Sequence, residues 1–567
     1  MSERTNSKCW KIVEASQDSI QVRFGSEISE FLNAIVQRFC SLFETAVKDS
    51  DFGILELVPS YCAVSVYFNP LETDFDSVCN LAENFANLVV SNESQLSESL
   101  HGSVLHEIPV CYEGEFAPDM ESVSAHTGLS AQEIVSLHSG RDYLIFMLGF
   151  LPGFPYLGNM NPKLEVPRLK TPRTKIPAGS VAIGGKQTGV YPMVSPGGWQ
   201  IIGRTPLPLY DPLRNPPVLY RAGDRIRFVP VSKEDFAKIE QKQNQNTACI
   251  AEKPRFAVGS GIQVLSAGAC TTVQDKGRYG FQHIGISESG AMDYISFKAA
   301  NRLVGNPDDS ACLEATLVLP RIRFTLPCDF AVTGARMNVY LDEKLVEQDS
   351  LIHADEGSIL SSDYATGGFR AYIAFRGGIL LPAVSKSVST NLSCKIGGIS
   401  GQMLKDGDEL AIGYAEKSEK SLEKAFLVKL LDIPSNLAVK KICKIRVVKA
   451  AQYDFFSQSA IEQFTQNVYT VMPESNRMGI RLGGNPLDCP STDIISDSIP
   501  LGAVQITSAG LPVIMAADRQ TCGGYAKIAA VIRSDMAVLA QLPPGSKVSF
   551  EFVSHSEADR VFKEQIL

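Results

Sequence analysis

The sequence predicts a mainly β protein that opens with an α+β module, and three observations carry the prediction. The first hundred residues switch between period-two and helical hydrophobic spacing. From Cys111 to about residue 230, glycine and proline become frequent and helical spacing nearly disappears, the texture of short strands joined by turns. The same texture returns from Gly261 to Val553.

Ile20, Val22 and Phe24 alternate as in a strand, and Ile28, Leu32, Ile35, Phe39 and Leu42 recur at helical spacing behind Ser26, a candidate N-cap. Ile54 to Val58 and Ala63 to Phe68 read as strands, Phe75 to Val90 as a helix, and Ile108 to Tyr112 as a strand. This β-α-β-β-α-β order predicts a ferredoxin-like domain over residues 1–100. The polar run Lys233 to Lys253 reads as a helix end and a linker, placed at 241–256, behind a β domain at 101–240. The remainder is too long for one small barrel and divides near Tyr414 to Lys429, giving β domains at 257–420 and 421–567. Gly223-Asp224-Arg225, Gly407-Asp408-Glu409 and Gly545-Ser546-Lys547 each lead an alternating strand, an echo expected if each closes one copy of a repeated barrel.

At 567 residues the chain exceeds what one hydrophobic core usually serves, so roughly three to five domains are expected. A hydrophobic fraction of 44% with 20% charged residues belongs to a packed globular protein. The net charge of −9 is spread without a basic run, which argues against nucleic acid as a partner. No stretch approaches the roughly 20 apolar residues of a membrane span. The first residues hold no apolar leader core, so no membrane association and a cytoplasmic location are expected. The 13 cysteines contain no C-x-x-C pair and the 7 histidines no metal-ligand spacing, so reduced thiols and no metal site are expected.

Several motifs fail on inspection. Gly184-Gly185-Lys186-Gln187-Thr188-Gly189 resembles a phosphate loop, but Gln187 follows the lysine and the next residues read as turn and strand rather than helix. Gly259-Ser260-Gly261 lacks the third glycine of a dinucleotide fingerprint, and no G-x-S-x-G elbow occurs.

A denser pattern starts at His138-Ser139-Gly140-Arg141-Asp142-Tyr143 and continues through Gly149-Phe150-Leu151-Pro152-Gly153-Phe154-Pro155-Tyr156-Leu157-Gly158. Its glycines, aromatics and prolines suit a rigid ligand-facing loop or a barrel corner. Pro167-Arg168, Pro172-Arg173, Gly179-Ser180-Val181, Gln187-Thr188-Gly189-Val190-Tyr191-Pro192 and Ser195-Pro196-Gly197-Gly198-Trp199-Gln200 to Thr205 follow in order. With these, residues 10 to 232 resemble the allophanate hydrolase subunit 1 family, which includes the B subunit of 5-oxoprolinase, the sporulation-kinase inhibitor of bacilli and part of the carboxyltransferase region of urea carboxylase.

Residues 261 to 553 resemble the allophanate hydrolase subunit 2, or biotin-dependent carboxyltransferase-like, family, which includes the C subunit of 5-oxoprolinase. The carrying segments are Thr272 to Arg278, Ser289-Gly290-Ala291-Met292-Asp293, Ala300 to Asn306, Leu313-Glu314, Asn476 to Leu482 and Ala517 to Tyr525. Where that family tends to carry Gly-Ser-Arg-Ser-Thr, this chain reads Lys386-Ser387-Val388-Ser389-Thr390, without the glycine and the arginine.

The resemblance implies three cyclophilin-like β-barrel domains behind the ferredoxin-like one. It further implies a fusion of the B and C subunits of 5-oxoprolinase that helps open 5-oxoproline to glutamate with ATP, with Mg, and a separate A-type subunit. Opening a resonance-stabilised lactam needs carbonyl activation, cations for phosphate and an acid or base. His138 ranks first for proton transfer because its unperturbed pKa suits neutrality, with Asp275 and Asp518 as further catalytic candidates. Substrate-binding candidates are Arg168, Arg173, Gln187, Tyr191, Gln200, Arg204, Arg278, Asp293, Arg477, Arg481, Arg519 and Lys527. The Asp275/Arg278 and Asp518/Arg519 pairs equally suit ion pairs holding turns.

Two other functions follow from the same resemblance: inhibition of a histidine kinase, and carboxyl transfer to urea or a similar amide. The chain has no Ala-Met-Lys-Met biotin-attachment segment. The expected partners are thus a third subunit and a small amide, and a homo-oligomer is compatible with the sequence.

Overall fold

The computed structural model describes residues 10–48, 50–91, 103–171, 173–250, 261–414, 442–489 and 492–566. Strands Lys11–Ser16, Ser19–Arg23, Ala63–Phe68 and Ile54–Pro59 form, in that spatial order, an antiparallel four-stranded sheet. Helices Glu30–Val47 and Phe75–Ser91 join its core, where Ile35, Phe39, Phe43, Val78, Ala82 and Ala86 meet Ile20, Val22, Val64 and Val66.

The element order is therefore β-β-α-β-β-α, and the ferredoxin-like order expected from the sequence is not what forms. Lys11–Ser16, half-polar and only partly buried at its start, hid the first hairpin strand. The strand expected at 108–112 runs over Leu105–Val110 and lies parallel to Arg225–Pro230 in the next sheet. The first helix starts at Glu30 with Ser29, not Ser26, in the N-cap position.

That next sheet has seven strands in the order Gln200–Arg204, Ser180–Gly184, Gln187–Val190, Pro155–Leu157, Asp142–Leu148, Arg225–Pro230, Leu105–Val110. Paired 2.9 Å hydrogen bonds between Cys111 and Arg204 join its two edges, so it curls into a barrel around Ile108, Ile145, Leu157, Ile183, Ile202 and Phe228. Helices Met120–Thr127 and Ala131–Ser139 lie in the stretch the periodicity left without helices. Both are short, which blurs a helical period. The Ser130/Glu133 capping box that starts the second was legible as S-x-x-E.

Residues 233–250 form one helix, Lys233–Ile250, so the segment expected as a linker begins helically, and 251–256 lie outside the described residues. The second half begins with a seven-stranded and a five-stranded sheet that share one core, Ile262, Ile322 and Leu410 from the first meeting Leu313, Phe330 and Ile373 from the second. Most of the division expected at 414–429 lies outside the described residues. A closed seven-stranded barrel from Ile442–Lys449 to Lys547–Phe552 follows.

The three glycine-led strands all form, each behind a glycine with φ near 90°, Gly223, Gly407 and Gly545. Arg225–Pro230 and Lys547–Phe552 lie parallel to the strands that open their barrels, whereas Glu409–Ile412 runs antiparallel to Gly261–Ser266. The echo marks one shared closure in the first and last units and a different one between them.

The two halves pack closely. Tyr61 and Tyr67 of the N-terminal module, Phe146, Phe154, Tyr156 and Trp199 of the first barrel, and Ile286, Ile396 and Cys522 of the second half form one apolar cluster. Polar contacts frame it: Arg23 Nη2 donates to Ala451 O (2.7 Å), Gln21 Nε2 to Asp497 (3.2 Å), and Arg533 N to Gln17 Oε1 (2.9 Å). Among the described residues no helix is long and apolar enough to cross a membrane.

Candidate functional site at the junction of the halves

Three loops meet at this junction, the first and third within segments singled out in the sequence and the second, 279–289, ending on one at Ser289. The first follows strand Asp142–Leu148, with Phe150 at φ 65° and Gly153 at φ 75°. Gly153 N donates to Ile284 O of the second loop (2.9 Å), and a Cβ on Gly285 would lie 2.2 Å from Leu151 O. Only glycine permits that approach. Ser289 N in turn donates to Ala517 O (3.0 Å), which ties the second loop to the third.

Beneath the loops lies a buried charge network. Arg477 donates through Nε and Nη2 to Asp518 (3.0 and 3.1 Å), through Nη1 to Glu314 (2.6 Å), and through Nη2 to Gly290 O (2.7 Å). Burial would raise the Glu314 carboxyl, but the Arg477 and Arg370 guanidiniums outweigh it and hold the group below its ordinary range. Arg519, wholly buried, donates to Ile499 O (2.9 Å) and Gln282 Oε1 (2.9 Å) and pairs with Glu288 (3.4 Å). Asp518 and Arg519 therefore serve different partners, and the turn-holding ion pair weighed as one of two readings for them does not form.

Asp275 and Arg278 likewise do not pair with each other; both grip residues 384–389. Asp275 accepts from Gly277 N (2.8 Å), Ser387 Oγ (2.6 Å), Ser389 Oγ and Val388 N (2.8 Å). Arg278 donates to Val384 O (3.1 Å) and Ser389 O, while its buried Nη1 meets no protein acceptor. Burial lowers the Arg278 pKa against the opposing pull of Asp275 and Asp518. Tyr210, close enough to feel that guanidinium, also has a buried hydroxyl without a partner, as does Tyr61. In the segment where the related family tends to carry an arginine, Val388 packs against the core of the second half.

Residues 10–220 match the family described as carboxyltransferase domain, subdomain C and D, and residues 284–552 match carboxyltransferase domain, subdomain A and B. The 5-oxoprolinase B subunit of Bacillus subtilis is 39% identical over 240 residues, 41% of this chain and 98% of that protein. The 5-oxoprolinase C subunit of Escherichia coli is 36% identical over 305 residues, 54% of this chain and 95% of that protein. The chain belongs to the families of the B and C subunits of 5-oxoprolinase, joined in one polypeptide. Urea amidolyase of Saccharomyces cerevisiae is 33% identical over 326 residues, covering 54% of this chain and 17% of the yeast protein. The crystal structure of TTHA0988 superposes with a TM-score of 0.78 at 27% identity, covering 94% of this chain and 99% of that one.

In the N-terminal half, the expected site residues divide. Arg168 reaches the junction, its charge opposing the burial-raised pKa of Tyr61, Tyr156 and Tyr191, and it lies 3.7 Å from where a Cβ on Gly524 would stand. Tyr191 packs edge-on to Phe154. His138 does not reach the junction. It is wholly buried in the barrel, stacked on Phe228, and its Nδ1 and Nε2 engage Tyr112 Oη (2.9 Å) and Thr188 Oγ1 (2.8 Å). Burial pushes its pKa down to about 3, so it is held as a neutral core residue, and the expected proton-transfer role does not suit this position. Arg173, expected to share a cleft with His138, is held bidentately by Asp119 (2.9 and 2.6 Å) while its charge reaches Tyr191, and Arg204 donates to Ala178 O (2.9 Å). Gln200 donates to Pro167 O (3.3 Å), and Gln187 lies buried at the start of strand Gln187–Val190.

In the C-terminal half, Asp293 caps helix Tyr294–Leu303, accepting from Ile295 N and Ser296 N (3.1 and 3.0 Å), and Gln541 Nε2 donates to it (2.7 Å). Lys527 is wholly buried against Asp497, and Arg481 is exposed on strand Gly479–Gly483. Sequence reasoning missed Tyr61, Tyr210, Gln282 and Glu288, which carry no spacing signal. Glu314 stands within one of the family segments, yet nothing in the sequence joined it to Arg477.

Proposed function

We propose that this chain supplies the B and C parts of a 5-oxoprolinase and holds 5-oxoproline at the junction of its halves, for opening to glutamate with ATP and a separate A-type subunit. The unpartnered Nη1 of buried Arg278, where loops of both halves meet, is the observation that carries the reading. A guanidinium edge in a dry site binds a carboxylate strongly, and 5-oxoproline presents one. The Tyr210 hydroxyl beside it can donate to the same anion or to the lactam oxygen. Closing the Phe150 loop over the site would exclude water and strengthen those contacts.

Nucleotide does not fit the one phosphate-loop-like segment. Gln187 pairs with Gly184 across a two-residue hairpin turn, with no helix behind it to present its N–H groups to phosphate. No ATP step is therefore assigned to this chain's residues, and the reading places nucleotide handling with the third subunit. Carboxyl transfer to an amide is the second reading, favoured by the likeness to yeast urea amidolyase.

Glutamate release from 5-oxoproline and ATP, assayed with this chain, with an A-type subunit, and with both, tests the proposal. Activity only in the mixture supports it. Turnover by this chain alone would overturn the division of labour, and biotin-dependent carboxylation of urea without glutamate release would favour the second reading.

A further inference from the structure

A second cleft, of about 530 Å³, opens where helix Glu30–Val47, the first barrel and the second half meet. Its size lies within the roughly 300–1,000 Å³ of small-molecule sites. None of Arg278, Tyr61 and Tyr210 lines it, although Ile284 borders both this cleft and the junction. Along the helix it carries Gln37, whose buried Nε2 has no partner, and, two turns on, the carboxylate of Glu44. Arg221 of the first barrel, paired with Asp224 of the same lining (3.6 Å), and His283 of the second half bring cationic or donor groups, and Leu57 and Leu144 supply apolar wall.

We infer that this cleft binds a small amino-acid zwitterion, with Glu44 taking the ammonium and Gln37 and Arg221 the carboxylate. Of the two acids that line the cleft, Asp224 faces Arg221 (3.6 Å), which leaves Glu44 for an ammonium, and with the donors and the apolar wall this suits a molecule that carries both charges on one carbon. His283 couples the cleft to the body: its N and Nδ1 both lie 2.9 Å from Glu56 Oε1, across the junction of the halves. Occupancy would thus be sensed where the halves meet. L-Glutamate is the amino acid of choice only because it is the product of the proposed reaction, and that choice rests on the reading above.

Titration calorimetry of the full chain with L-glutamate, other L-amino acids and 5-oxoproline tests the inference. L-Glutamate is expected to bind, with Glu44→Gln and Gln37→Leu each weakening it by about tenfold or more while Arg321→Lys, at an exposed strand position, leaves it unchanged. 5-Oxoproline, which lacks an ammonium, should not compete. Binding of a different amino acid with the same Glu44 dependence upholds the cleft while removing support for the reaction. Absence of binding by every amino acid, or glutamate binding that survives Glu44→Gln and is lost in Arg278→Lys, overturns it. Melting curves of each variant confirm that the fold is retained.

Discussion

Gly149 of the N-terminal half and Cys522 of the C-terminal half approach so closely that a Cβ on the glycine would lie 2.5 Å from the cysteine Sγ and 2.7 Å from its Cβ. Gly149→Ala should destabilise the chain by about 1–3 kcal/mol through overpacking. Cys522→Gly in the same chain should recover part of the loss. Urea unfolding of the single and double variants checks this, because a coupling energy arises only if the two positions touch.

His138 makes stability depend on acid. The unfolded chain takes up a proton near the ordinary value of 6.5, whereas the folded chain resists it down to about 3. Between those values the unfolded state binds more protons, so stability falls as pH falls. The loss reaches about 2 kcal/mol by about pH 5. His138→Gln should flatten this acid limb, and turnover with the third subunit should persist once lower stability is allowed for. A variant with unchanged pH dependence would remove the histidine from this role.

The Arg477 network should respond to shape as well as to charge. Arg477→Lys keeps a cation, but one ammonium cannot reproduce the paired contacts to Asp518 together with those to Glu314 and Gly290 O. A loss of about 3 kcal/mol or more is expected because buried carboxylates would be left short of donors. Equilibrium unfolding measures it, with Arg321→Lys on an exposed strand position as the control.

Arg278→Lys should lower kcat/KM for 5-oxoproline by about a hundredfold in the reconstituted complex, mostly through KM. The lysine cannot both hold Val384 O and Ser389 O and present a further N–H. An unchanged KM would move the substrate carboxylate elsewhere.

What was legible in the sequence follows what is local. Glycines with positive φ mark strand entries, and Gly223, Gly407 and Gly545 announced three strands correctly. Gly149 and Gly153 marked one loop of the junction, whereas Gly285, whose Cβ would meet Leu151 O, stood outside the segments singled out. Partners were not legible: neither the binding of Asp518 to Arg477 instead of its neighbour Arg519, nor the shared grip of Asp275 and Arg278 on one segment, follows from spacing. Ranking His138 by its free pKa failed because burial, a tertiary property, decides its protonation.

The polar part of the junction also sets which halves can pair. Asp497 receives Lys527 and Gln452 from its own barrel, and Gln21 and Arg23 reach it from the N-terminal sheet. An N-terminal half from another source, with an apolar residue in place of Gln21 or an acid in place of Arg23, would set dry or like-charged surface against a buried carboxylate. Fusion guarantees that the halves meet, and this contact discriminates against a foreign half, so hybrids assembled from unrelated sources should sort back toward native pairs.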